Sequence, residues 1–195
     1  MNICVFSSSS NAISDIYFKE AEKLGKLIGE GGHTLINGGA NVGLMEATTI
    51  AAKNAGAKTV GIIPERLNGY SLTSDHAQQV IVTTDMQERK AKMREISDAF
   101  VAMPGGFGTL EEILEVITLR QLSYHTKPIV FLNTNNFYKY LIKQFETSYS
   151  EMFAREINRK SFYVAKTAEE VIDYLINYIP VELDRKWFVV PKKEV

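Results

Sequence analysis

Short apolar runs alternate with amphipathic stretches along most of this 195-residue chain, the pattern of βαβ units that feed a parallel sheet. Residues 2–7 form the first apolar run. A helix is predicted over 13–29, where Tyr17, Ala21, Leu24 and Ile28 recur at the spacing of one helical face. A strand at 34–37 leads through a glycine turn into a helix at 43–54. Residues 59–63 read as a strand stopped by Pro64, and 79–83 as another, followed by a charged helix over 85–96. The alternation continues with a strand at 98–103, a helix at 109–122 and a strand at 128–132. Segments 137–148, 151–153 and 167–178 read as closing helices. The tail from Pro180, which holds Trp187, reads as irregular and is expected to pack on the outside or on a second subunit. The expected architecture is one doubly wound, Rossmann-like α/β domain over 1–195, with a core at 1–179 and a tail at 180–195. Its sheet should be mainly parallel and flanked by helices, with ligands at the carboxyl ends of the strands.

Three strand-to-helix turns fall at that edge. They are Ser7-Ser8-Ser9-Ser10-Asn11, Asn37-Gly38-Gly39-Ala40-Asn41-Val42-Gly43-Leu44-Met45, and Met103-Pro104-Gly105-Gly106-Phe107-Gly108-Thr109. Serines and glycines also serve tight turns and helix caps, and for the serine run that use weighs as much as a ligand role. Two glycine-rich turns together favour phosphate or nucleotide. Glycine lets the backbone take positive φ and aim its N–H groups at an anion, and the positive end of the following helix points the same way. After the third turn comes Leu110 and then two carboxylates, Glu111 and Glu112, close enough to act on whatever the phosphate carries.

Composition narrows the classes. With 22 basic and 23 acidic residues the net charge is −1, so no basic field calls for nucleic acid. The one cysteine, Cys4, sits in an apolar run, excludes an internal disulfide and fits a reducing cytoplasm. No segment approaches the roughly 20 apolar residues of a membrane span, and no signal peptide is evident. The expectation is a cytoplasmic protein with no membrane partner.

Familiar nucleotide motifs fail. Gly106 and Gly108 have the G-x-G spacing, but Glu111 occupies the third glycine's place, and no P-loop or G-x-S-x-G elbow is present. His33, His76 and His125 lack ligand spacing, so no metal is expected. The helix at 85–96 carries Arg89, Lys90, Lys92 and Arg94; Glu88–Lys92 and Lys90–Arg94 have the i,i+4 spacing of a solvated face. That reading suits Lys92 and Arg94.

Met86-x-x-Arg89-Lys90 followed by Pro104-Gly105-Gly106-x-Gly108-Thr109-x-x-Glu112 resembles the Lonely Guy family, the cytokinin riboside 5′-monophosphate phosphoribohydrolases. The resemblance extends from the first strand to about Tyr140. It takes in Gly38-Gly39, Gly43-Leu44-Met45, Gly61-Ile62-Ile63-Pro64, Thr118, Gln121-Leu122 and Lys127-Pro128. Similar sequences often carry the label lysine decarboxylase, which nothing in this sequence supports. The resemblance implies hydrolysis of the N-glycosidic bond of AMP or an N6-modified AMP, without a cofactor. It implies Arg89 and Glu112 as the catalytic pair and Gly106, Phe107, Gly108 and Thr109 as the phosphate cradle. It also implies substrate contacts from Lys90, Gly105, Leu110, Glu111, Thr118, Gly38, Gly39 and Met45, and a homodimer with the site near the subunit contact.

The chemistry of the residues agrees. Glycoside cleavage passes through an oxocarbenium-like sugar, which a carboxylate stabilises while orienting water. Glu112 lies about one turn into the helix that would hold the phosphate, and Arg89 offers a planar fork. Glu111, about 100° away round that helix, is a cap or substrate contact rather than the catalyst. By itself Glu112 is better explained as a helix-dipole partner worth roughly 0.3–1 kcal/mol; beside Arg89 and the glycine turn, catalysis is favoured. Gln87 stands where the family often has histidine, Asn37 and Ala40 depart from Tyr-Gly-Gly-Gly, Glu46 replaces a glycine, and the Ser7–Asn11 turn lacks glycines. These departures bear on base and ribose contacts, not on Arg89 or Glu112. A non-catalytic nucleotide carrier or sensor is the competing reading. A pyridoxal phosphate decarboxylase would need a Schiff-base lysine and a ring partner, and neither can be placed.

Overall fold

In the computed structural model, which describes residues 1–183, seven strands form one sheet in which every pairing is parallel. In chain order they are β1 (Asn2–Phe6), β2 (Thr34–Asn37), β3 (Lys58–Pro64), β4 (Gln79–Thr83), β5 (Ala99–Ala102), β6 (Ile129–Leu132) and β7 (Tyr163–Ala165). Their spatial order is β4-β3-β2-β1-β5-β6-β7. The chain therefore builds outward from β1 to one edge and then returns to build the other. That reversal opens a crevice at the carboxyl ends of β1 and β5, the place where open α/β sheets bind ligands.

The helices are α1 (Asp15–Glu30), α2 (Gly43–Asn54), a short α3 (Glu65–Asn68), α4 (Met86–Ile96), α5 (Phe107–Gln121), α6 (Lys139–Ser150) and α7 (Ala168–Ile176). Strand alternation sorts the core into two layers. Ile3, Val5, Leu35, Val101 and Leu132 pack under Leu24 and Ile28 of α1, Ala52 of α2 and Val171 of α7. Cys4, Phe6, Ile36, Phe100 and Phe131 face the other way, onto Met93 of α4, Ile113 and Val116 of α5, and Phe145 of α6. Both faces are covered, so the central strands read as unbroken apolar runs. Cys4 is wholly buried and its thiol is pushed far up by that burial, which removes it as a nucleophile.

Several boundaries differ from the sequence expectation. α1 starts at Asp15 because Ser14 is an extended N-cap, and β3 runs through Pro64, which caps α3. The segment 151–153 is not helical: Met152 takes a φ of 60°, which ends α6. A 3-10 turn at Glu156–Ser161 follows instead, and then β7, a strand of three residues and too short to show a period. The start of the 137–148 helix splits into a 3-10 turn at Thr134–Asn136 and α6, with Asn135 at a φ of 52°. Most of the expected irregular tail, including Trp187, lies outside the described residues. Among the described residues, no helix is long and apolar enough to cross a membrane.

Candidate active site

The third turn does not bend as its glycines suggested. Gly105, Gly106 and Gly108 are absent from the residues with positive φ, and α5 begins at Phe107, two residues before the expected Thr109. What requires glycine at 105 is a close approach: a Cβ there would collide with the Thr109 side chain. Around Gly106 and Gly108 there is open space, with nothing within 4 Å of an added Cβ. Gly106 is the N-cap and offers no side-chain cap to the first turn. The first ladder bond of α5 is Leu110 N–H to Gly106 C=O at 3.1 Å, so the N–H groups ahead of it face the crevice without ladder partners. Phe107, first in the helix, is 93% exposed, whereas Thr109 is buried.

One and a half turns into α5, Glu112 meets Arg89 of α4. Arg89 Nη1 donates to Glu112 Oε1 at 2.6 Å, and both side chains are buried. Asp85 fixes α4 by capping its N-terminus, its side chain accepting from the N–H groups of Gln87 and Glu88 at 2.8 Å each. Arg89 Nε donates to the Ile62 carbonyl of β3 at 2.9 Å. Its Nη2 rests against Gly38, where any side chain would run into it and into Met45 Sδ. The guanidinium is thus held on three sides. Burial pushes the Glu112 carboxyl above its ordinary value, and Arg89 pulls it back only in part.

The second glycine turn supplies the wall behind this pair. Gly39 and Gly43 take φ of 69° and 61°. Asn37 Oδ1 accepts from the Gly39 N–H at 2.9 Å, while Asn37 Nδ2 donates to Thr49 Oγ1 at 2.8 Å. A Cβ on Gly61 would stand 2.7 Å from Gly39 Cα, so the turn lies directly on the β3 backbone. From the serine run, the Ser8 N–H donates to the Pro104 carbonyl at 3.2 Å and the Ser8 carbonyl accepts from Leu44 N–H at 2.9 Å. The Ser7 hydroxyl is buried without a partner at the end of β1.

Not every expected contact gathers here. Lys90 forms ion pairs with Glu111 and with Glu115, the latter at 3.3 Å, so Glu111 does not cap α5 and its exposed carboxylate faces Lys90. Arg94 is also drawn onto α5, 2.6 Å from Glu115, and Lys92 pairs with Glu95 at 2.9 Å; the expected Glu88–Lys92 and Lys90–Arg94 face does not form. Glu88 turns back to cap Thr84 instead. Thr118 is exposed, bonded to the Leu114 carbonyl at 2.8 Å, and nine residues past Thr109 it lies roughly 13 Å along the helix. Leu110 is half-buried among the α4-side core residues. Sequence reasoning missed Ile62, which contributes only a carbonyl, and Ser74, which no local pattern marks.

Between α4 and α5 lies a shallow groove of about 480 Å³ lined by Gln87, Lys90, Ala91 and Glu115. A larger groove of about 900 Å³ lies on the outer face of α1 and α2, beside Lys23 and Ile50, with no functional residue in its walls. Among the described residues, no cluster of His, Cys, Asp or Glu could hold a metal.

Comparison with known proteins places this arrangement. The family model described as "Possible lysine decarboxylase" matches residues 45–175. A cytokinin riboside 5′-monophosphate phosphoribohydrolase of Oryza sativa subsp. japonica is 39% identical over 178 residues, 91% of this chain and 74% of that one. Another from Arabidopsis thaliana is 38% identical over 179 residues, 92% of this chain and 78% of that one. Among solved structures, the molybdenum cofactor binding protein of Rippkaea orientalis superposes with a TM-score of 0.70 at 27% identity, covering 90% of this chain and 94% of that one. The matched sequence, the parallel sheet and the glycine-lined crevice agree: this chain belongs to the Lonely Guy family, whose model bears the lysine decarboxylase label.

Proposed function

We infer that the chain hydrolyses the N-glycosidic bond of an adenine-type nucleoside 5′-monophosphate, AMP or an N6-modified AMP, releasing the free base and ribose 5-phosphate. The observation that carries this reading is the buried Arg89–Glu112 pair at 2.6 Å, set behind the open N-terminus of α5. The relatives named above, with the same activity in their names, support it.

The 5′-phosphate takes the N–H groups of the first turn of α5, over Gly106, Phe107, Gly108 and Thr109, where the helix dipole favours an anion. Glu112 stands about 7.5 Å further along the axis, the span from a nucleotide's phosphate to its sugar. As C1′–N9 breaks, positive charge grows on the sugar and the Glu112 carboxylate stabilises it. Glu112 also takes the proton of the attacking water, whose oxygen bonds to C1′; that proton ends on the departing base. A carboxyl raised above its usual value is a better acceptor at neutral pH. Arg89 keeps Glu112 aimed and ionised, and its Nη2 borders the crevice beside Gly38. A phosphate binder that only carries its ligand has no use for a carboxylate beside an anion.

The space around Gly106 and Gly108 is open, which leaves one flank of the crevice uncovered, and Phe107 between them is exposed. A second copy of the chain closes that flank in a homodimer. The protein works in the cytoplasm, binds neither nucleic acid nor membrane, and needs no cofactor. Chromatography after incubation with AMP and with N6-isopentenyl AMP tests the reaction. Free base in equal yield with ribose 5-phosphate is expected. Intact nucleotide recovered bound to the protein would favour a carrier or sensor; the Rippkaea orientalis neighbour is named a cofactor binding protein.

A further inference from the structure

Glu46 occupies the first turn of α2, one residue beyond Met45. Its Oε2 accepts a 2.5 Å hydrogen bond from Ser74 Oγ, and its Oε1 lies 3.7 Å from His76 Nε2. Ser74 is 3% exposed. It belongs to the loop between α3 and β4, far from Glu46 in sequence. The same Ser74 hydroxyl accepts from the His76 N–H at 3.1 Å, and the Ser74 N–H donates to the Gly39 carbonyl at 2.8 Å. Asn41 adds two bonds to this loop, its N–H to Leu72 C=O at 2.8 Å and its Nδ2 to Ser71 C=O at 3.1 Å. Ala40 forms an antiparallel bridge with Thr73. Residues 71–76 therefore lie along the second glycine turn like a short extra strand. The turn is trapped between that loop and Gly61, and its Gly38 backs directly onto the Arg89 guanidinium.

We propose that Glu46 and Ser74 form a clasp that presses residues 71–76 onto the Gly38–Gly39 turn and so fixes the position of Arg89 against Glu112. The two are positioning residues; neither touches substrate. The geometry explains why a carboxylate is used. Among the bonds that fasten the loop, those from Ser74 and His76 to Glu46 reach the helix, the Thr59 hydroxyl ties the His76 carbonyl to β3 at 3.1 Å, and the rest go to the turn itself. A charged acceptor roughly doubles the strength of such a bond, and the first turn of a helix favours a carboxylate. Losing the clasp frees the turn to drift away from Arg89 Nη2, and Arg89 then has room to rotate off Glu112.

The inference rests on the hydrolase reading, so the test carries one readout that does not. Kinetics of base release are measured for wild type, Glu46→Ala, Ser74→Ala, the double variant and Glu46→Gln, whose amide oxygen still accepts from Ser74. In parallel, the Arg89 Nε–H signal is followed by NMR in each protein. Both alanine variants should lose about ten- to a hundredfold in kcat with little change in KM, the range expected for misplacement by up to about 1 Å. The double variant should be no worse than the worse single, Glu46→Gln, which keeps the acceptor without the charge, should fall between wild type and Glu46→Ala, and the Arg89 signal should move most in the alanine variants. Wild-type kcat in both alanine variants, or an unmoved Arg89 signal in them, overturns the clasp. A wild type that releases no base refutes the hydrolase reading, and the Arg89 signal still decides the clasp.

Discussion

Replacing Gly38 by alanine adds one methyl group at the point where the site has no room for it. Gly38 is not among the residues with positive φ, so alanine meets no backbone strain and the effect is one of contact. The new Cβ would overlap Arg89 Nη2 and stand 2.9 Å from Met45 Sδ. The methionine end is flexible and can swing away. Arg89 cannot do so freely, because Nε is tied to Ile62 C=O at 2.9 Å and Nη1 to Glu112 at 2.6 Å. To reach an ordinary contact the guanidinium must shift by about 1 Å, a misplacement that costs about a hundredfold in rate, or roughly 2.7 kcal/mol in the barrier. Overpacking adds about 1–3 kcal/mol of lost stability. The assay is steady-state base release by Gly38→Ala beside its melting curve. A hundredfold lower kcat in a still-folded protein is expected. Wild-type kcat would mean that the turn does not support Arg89, and the account of the crevice wall would fail.

Gly108 offers the opposite case, since a Cβ there meets nothing within 4 Å. Gly108→Ala should stabilise α5 by up to about 1 kcal/mol while raising KM, because the open space is where the phosphate is proposed to sit. A raised melting point with unchanged KM would place the phosphate elsewhere. Arg89→Met strands Glu112 as a buried, unpaired carboxylate, at a cost of about 3–5 kcal/mol near neutral pH. The sign follows from the raised folded-state value of Glu112. A carboxyl that binds its proton more tightly when folded destabilises the protein fully above its folded pKa, and the penalty fades as pH falls from there towards the lower unfolded value. Urea denaturation should show the variant's deficit shrinking from pH 8 towards pH 5; a deficit independent of pH contradicts the burial argument. In wild type, the acid limb of kcat/KM should lie above the ordinary glutamate value of 4.5, and a limb at or below that value counts against Glu112 as the proton acceptor. Sedimentation should give twice the chain mass of 21.9 kDa; a monomer with full activity would show that the open flank needs no second copy.

The sheet was legible because its central strands are buried on both faces and read as plain apolar runs, as with Ile3–Phe6 and Ile129–Leu132. β7 was not, since three residues carry no period and its place is fixed by register with β6. The break after α6 escaped notice because Met152 and Phe153 look like an apolar helical face yet lie exposed. At the site, the string from Pro104 to Glu112 announced an anion-binding turn. Its mechanism was misread: close contact between Gly105 and Thr109 explains one glycine, and clearance for a ligand is proposed for the others, in place of positive φ. Arg89 and Glu112, separated along the chain, were joined by resemblance, and the fold brings them to 2.6 Å. Arg94 looked like a surface charge of α4 and Lys90 like a substrate contact, but their partners Glu111 and Glu115 lie on a neighbouring helix that no i,i+4 rule reaches. The Glu46–Ser74 contact is invisible for the same reason, being a pairing between the first turn of α2 and a distant loop.

The central claim is that Glu112 does the chemistry while the α5 N-terminus does the binding. The most direct test is Glu112→Gln, which keeps the shape and a hydrogen-bond acceptor for Arg89 but removes the charge. Calorimetric titration with AMP is paired with single-turnover base release by the same preparation. Binding within a few fold of wild type and base release lowered by at least a thousandfold is the predicted result. Glu112→Gln that still releases base at the wild-type rate would contradict the account outright.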